Sequence, residues 1–173
     1  MKKRIGYIAG GFLVILAIFI SFQLNKDSSK LSLEAVLGNS VYNAWEGLNE
    51  IIEDSTEEIT MESVNEMNEN LISVQAYANV IDRIEEEDLL LPIASNLLNI
   101  GRDIEENHKK NGKFTDIDKK KYKVIVEETK KVITQIYKVY YVPDSEGKVK
   151  LEIQNFKELE NINDRLNNYK FEK

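Results

Sequence analysis

Cysteine is absent from this sequence, histidine occurs once and proline twice. Each scarcity removes a class of chemistry. Without a thiol there is no disulfide framework, no thiolate metal site, no cysteine nucleophile and no lipid-modified cysteine. The single histidine, His108, stands in Glu105-x-x-His108, a spacing that di-iron bundle proteins use twice, together with two further inward glutamates, so one histidine cannot supply such a site. His108 reads instead as a helix C-terminal residue close to the last carbonyls. Gly112 and Gly147 stand alone and Gly10-Gly11 lies in an apolar run, so there is no phosphate-cradling loop. Asp116-x-Asp118 lacks the further ligands and the glycine of a calcium loop and reads as helix capping. No spacing selects a catalytic pair from the 30 acids. The expectation is therefore no catalytic residue, no cofactor and no metal, in a chain that is not an enzyme.

What is present begins with an apolar run. Met1-Lys2-Lys3-Arg4 precedes Ile5 to Leu24, 20 residues without a charged side chain. As a helix rising ~1.5 Å per residue this run is about 30 Å long, the thickness of a bilayer's hydrocarbon core. The basic trio predicts a cytoplasmic N-terminus and an exported remainder. Residues 1–24 thus read as a basic start and signal anchor, residues 25–31 as a polar spacer, and residues 32–173 as one extracytoplasmic domain. A cleaved signal peptide with a secreted product is the alternative, although Phe19, Ser21, Phe22 and Gln23 do not make the small-residue Ala-x-Ala pattern that cleavage favours. Within the run, Gly6, Gly10, Ala17 and Ser21 fall within about 60° of one another at 100° per residue. Small residues in that spacing let two membrane helices approach closely, so these four form a candidate packing face.

The rest reads as helix. Few glycines and prolines leave too little turn chemistry for an all-β chain. Leu33, Leu37, Val41, Ala44, Trp45, Leu48 and Ile52 recur every three or four residues after Ser32. Ser55 to Glu58 resembles a capping box, and Val64, Met67, Leu71, Val74, Ala78 and Ile81 follow, with Tyr77, Val80 and Ile84 beside them. Asp88 can cap a third helix that holds Pro92 in its first turn and carries Ile93, Leu97, Ile100 and Ile104 inward, closing at His108 to Gly112. Thr115 to Asp118 starts a fourth, with Tyr122, Ile125, Val132, Ile136 and Tyr140 on one stripe. Residues 139–153 allow a short β-hairpin or an irregular loop. Asn155 to Glu158 can cap a last helix with Phe156, Leu159, Ile162, Leu166 and Tyr169 inward. The fold class is all-α: a membrane helix followed by an antiparallel bundle of four to five helices.

Charge is unevenly placed. Three of the 23 basic residues precede the apolar run, so 20 face 30 acids after it. Residues 53–88 carry twelve acids and Arg83 alone as base, whereas residues 109–131 carry nine lysines and four acids. The second and fourth helices are expected to complement one another if they are neighbours, and an anionic lipid or wall polymer is the other reading of the lysines. A net acidic exported domain is not expected to bind nucleic acid. The partners expected are the membrane and a second protein or a second copy of the chain. The function expected is a non-enzymatic interaction or accessory module for an envelope or membrane protein. A sensor that holds a small ligand between its helices is the alternative. If the first helix carries a packing face, Gly10→Leu with Ala17→Leu abolishes crosslinking of the full chain to its membrane neighbours, and an unchanged crosslinking pattern contradicts that face.

Overall fold

Apolar residues at three- and four-residue spacing build five helices in the computed structural model, which describes residues 33–56, 58–140, 142–143, 149–150 and 156–169. They are α1 (residues 33–53), α2 (Met61–Glu85), α3 (Leu90–Asn111), α4 (Asp116–Tyr140) and α5 (Lys157–Asn167). Between α4 and α5, β1 (Val142–Pro143) and β2 (Val149–Lys150) pair antiparallel, Val142 opposite Lys150. The expected membrane segment 1–24, its packing face of Gly6, Gly10, Ala17 and Ser21, and the spacer lie outside the described residues. Among the described residues no helix is long and apolar enough to cross a membrane.

The core of the unit that starts at Leu37 is built from one face of every helix. Val41, Leu48 and Ile51 of α1 meet Val64, Leu71, Val74 and Ile81 of α2, Ile93, Leu97 and Ile104 of α3, and Ile125, Val132 and Ile136 of α4, all buried. Each such side chain contributes roughly 1.5–3 kcal/mol on leaving water. The stripe expected on α2 is buried at all six positions. On α1 the phase differs at both ends: Leu33 is exposed, and Ile51 rather than Ile52 faces the core.

Close approach needs small residues at two places. A Cβ on Gly47 of α1 would lie 2.9 Å from Cγ2 of the buried Val74 on α2. A Cβ on Gly101 would collide with the side chain of Asn68, which lies over α3 and donates to Glu105 at 3.2 Å.

The helix ends differ from the sequence expectation in instructive ways. Ser55 closes α1 by donating to the Ile52 carbonyl at 2.7 Å, so α2 is capped later, by Thr60 and Ser63, each accepting the other's N–H at 3.1 Å. Asp88 does not cap α3. The buried carboxylate of Asp82 does, accepting the N–H groups of Leu89 at 3.0 Å, Leu90 at 3.2 Å and Leu91 at 2.8 Å. Pro92, next in line, has no N–H to satisfy. The other end of α3 is as expected: Gly112 adopts φ 67° and donates to the His108 carbonyl at 2.8 Å. Helix α5 begins at Lys157 with Phe156 as its cap residue, and Phe156 and Tyr169 are exposed, so only Leu159, Ile162 and Leu166 of the expected stripe are buried.

Helix α3 lies between α2 and α4, α1 meets α2 at Gly47 and α4 at Trp45, and α5 packs against both α3 and α4. No ion pair among the described residues joins α2 to α4, because α3 separates them. The lysines of α4 pair instead with Asp103 of α3 (Lys121) and with acids of their own helix. Arg165 of α5 reaches the buried Glu128 of α4 at 2.9 Å.

At the start of α4, Asp118 is fully buried and accepts from the Thr115 N–H at 2.8 Å and from its hydroxyl at 2.7 Å. Burial alone pushes its carboxyl up, but those bonds, the Asn107 amide and the Lys121 charge together hold it below the ordinary 3.8. A depressed native value means that stability is present above the unfolded value and is lost as pH falls through the native one. Asp118→Ala should cost about 1–2 kcal/mol at neutral pH as a lost cap. Urea midpoints should show that difference from wild type shrinking below about pH 4; a difference that widens on acidification contradicts the assignment.

Candidate functional site

The fourth helix gives one side to the core and has two flanks. Along the first lies α5, held by Leu159, Ile162 and Leu166 and by Arg165 on Glu128. Its seam is closed further by Asn96 of α3, which donates to Asn163 at 3.1 Å and to Asn167 at 2.9 Å. The second flank faces α1, and no described element covers it.

Two different surfaces share this second flank. Toward the end of α4, Tyr137 places its ring 5.6 Å from that of Trp45, which is 6.0 Å from that of Tyr42. Tyr42 is 47% exposed and Tyr137 39%, with Trp45 half-buried between them. The Tyr42 hydroxyl donates to Glu46 at 3.4 Å, while the Tyr42 and Tyr137 rings leave apolar area in water on either side of Trp45. Toward the start of α4 the flank opens into a groove of about 1040 Å³. Its floor is Ile59, Phe114, Tyr122 and Val126, and Lys119, Lys123 and Lys130 line its α4 side. The α1–α2 connection forms the far wall, where the Thr56 N–H donates to the Tyr122 hydroxyl at 3.4 Å.

A second space, among core side chains, is far smaller. Ala44, Leu48, Val74, Ala78, Leu97 and Ile136 surround a free volume of about 10 Å³. That is at the lower limit for one water molecule.

The residues singled out in the sequence are scattered. His108 is half-buried at the end of α3, its ring 4.3 Å from that of Phe114. Glu105, one turn earlier, is engaged by Lys109, which holds its carboxyl below the ordinary glutamate value, and by Asn68. Among the described residues no group of three His, Cys, Asp or Glu side chains is placed to hold a metal ion. Of the aromatics placed on helix stripes, Tyr140 is buried and Trp45 joins Tyr137 in the bridging row. The row was not singled out beforehand because Trp45 and Tyr137 stand on helices far apart in sequence and no spacing links them. Comparison of the chain with family models, curated proteins and solved structures finds no match.

An exposed contact row and a core stripe differ in what their removal costs. Leu48→Ala should lower stability by about 2–5 kcal/mol, whereas Tyr42→Ala and Tyr137→Ala should each stay below about 1 kcal/mol. Urea unfolding followed by the fluorescence of Trp45, the chain's one tryptophan, checks this. Equal losses at Leu48 and Tyr137 would make the row part of the core.

Proposed function

We propose that the chain is a membrane-anchored, extracytoplasmic helical bundle that acts as an interaction module, docking a second protein on the flank between α1 and α4. The anchor in this reading is Ile5 to Leu24, with Lys2, Lys3 and Arg4 on the cytoplasmic side. The observation that carries the proposal is the row of Tyr42, Trp45 and Tyr137, whose two tyrosines are exposed on either side of a half-buried Trp45. Solvated aromatic rows are unusual away from contact surfaces, and Trp and Tyr dominate the energetics of protein interfaces. A small ligand held between the helices has less support, since the space among Ala44, Leu48, Val74, Leu97 and Ile136 is about 10 Å³.

A photocrosslinking residue at position 42 or 137 of the full chain in native membranes should yield protein adducts. The same residue at Asn99, exposed on α3, should not. Trp45→Ala should reduce the adducts at position 137 at least ~10-fold, because a central aromatic anchor is worth about 2 kcal/mol or more. Adducts as abundant at position 99 as at 42 and 137 contradict the proposal.

A further inference from the structure

We propose that the lysine-rimmed groove beside α4 receives the acidic outer ridge of α2 from a second copy of this chain. The inference rests on the interaction-module reading but uses a different part of the flank from the aromatic row.

The groove asks for a partner that is both acidic and apolar. Among the described residues Lys119 and Lys123 pair with exposed acids of α4, Asp116 at 3.5 Å and Glu127 at 3.8 Å. Such pairs contribute ~0–1 kcal/mol and are readily exchanged. Lys130 has no ion pair among the described residues. Beneath the lysines, Ile59, Phe114 and Val126 offer apolar surface that a phosphate polymer cannot use. An amphipathic helix laid into the groove uses both.

The chain itself carries such a surface. Glu62, Glu66 and Glu69 are exposed on α2 and enter no ion pair among the described residues. At 100° per residue they fall within about 60° of one another. Ile72, one turn beyond Glu69, is 48% exposed and is the only large hydrophobic residue of α2 in that state. The spacings also agree. Seven residues separate Glu62 from Glu69 and Lys123 from Lys130, about 10.5 Å along either helix, so both pairs can form at once.

Within one molecule no ion pair among the described residues joins Glu62, Glu66 or Glu69 to Lys119, Lys123 or Lys130, and α3 lies between the bodies of α2 and α4. The match is therefore assigned to a contact between molecules. The proposal is the heterologous form of this contact, in which each copy engages a different neighbour through each surface and the contact propagates into a ring or a row of protomers.

The absence of native cysteine makes the geometry directly testable. Full-length chain in phosphatidylcholine nanodiscs or native membranes carries Asn65→Cys with Glu127→Cys, exposed positions beside the ridge and beside the groove. A short bismaleimide should produce a ladder of dimers, trimers and higher species. Asn65→Cys alone should not. Adding Lys123→Glu with Lys130→Glu should reduce the ladder at least ~10-fold, and further adding Glu62→Lys with Glu69→Lys should restore it. Circular dichroism of each variant confirms that the exposed substitutions leave the helices intact. No ladder, a ladder indifferent to charge reversal, or one that the compensating reversal fails to restore overturns the proposal. The last result would assign the groove to some other acidic partner. Loss of the ladder with adducts at positions 42 and 137 unchanged would separate this inference from the docking function.

Discussion

Asp82 receives five backbone N–H groups at the corner between α2 and α3. Its carbonyl accepts from Glu86 and Glu87 as α2 ends, and its carboxylate accepts from Leu89, Leu90 and Leu91 as α3 begins. Glu86 takes up a left-handed φ of 58° to make this possible, a conformation that costs a non-glycine residue ~1–2 kcal/mol. Of the four N–H groups that the start of α3 would leave unpaired, three go to one side chain, and Pro92 removes the fourth. Burial pushes the Asp82 carboxyl above the ordinary 3.8 despite these donors, with the charge of Asp88 adding to the shift. A raised native value means that the charged form weakens the fold as pH rises through the unfolded value. The carboxylate therefore fixes position more than it adds stability, as buried polar groups do when they select one arrangement over another. Tyr140, at the end of α4, is buried within the field of Asp82, Glu85 and Glu87. Burial first, and those charges second, push its phenol far above its usual range.

The direction that α3 takes from this corner decides what the molecule can present. With α3 between α2 and α4, Glu62, Glu66 and Glu69 of α2 are not paired with Lys119, Lys123 and Lys130 of α4, and all six are exposed. Helix α5 takes one flank of α4, where Glu128 and Arg165 meet, and leaves the flank beside α1 to the aromatic row and the groove. The proposed docking function and the proposed self-association both follow from that division. One uses the rings that α1 and α4 share, and the other uses charges of α2 and α4 that form no ion pair with each other among the described residues.

Much of this was legible as periodicity. The α2 stripe from Val64 to Ile81 is buried as its spacing predicts, because a helix packed on two neighbours must bury one residue in every three or four. The stop at Gly112 and the start at Thr115 were also legible, since both rest on contacts within five residues. Asp82 was not. Its partners lie seven to nine residues away, across a reversal of the chain, and Asp88 stood in the place where a local cap belongs. The phase at Leu33 and Ile51, and the exposure of Phe156 and Tyr169, depend on where neighbouring helices end, which periodicity along one helix does not record. The same limit hid the flank. Opposite charge in residues 53–88 and 109–131 was plain, but only the order of helices around the core shows that the two sets do not meet within the molecule.

Native-state hydrogen exchange at Leu89, Leu90 and Leu91 tests most directly whether Asp82 holds the corner on which this arrangement depends. In the wild-type chain these three amides should exchange as slowly as the core amides of α3, opening only when the whole bundle unfolds. In Asp82→Ala they should exchange at least ~10-fold faster relative to the amides of Leu97 and Leu98, because about 1–3 kcal/mol is lost where buried donors go unpaired. Rapid exchange of Leu89 to Leu91 in the wild-type chain, or protection unchanged in Asp82→Ala, would contradict the role assigned to this carboxylate.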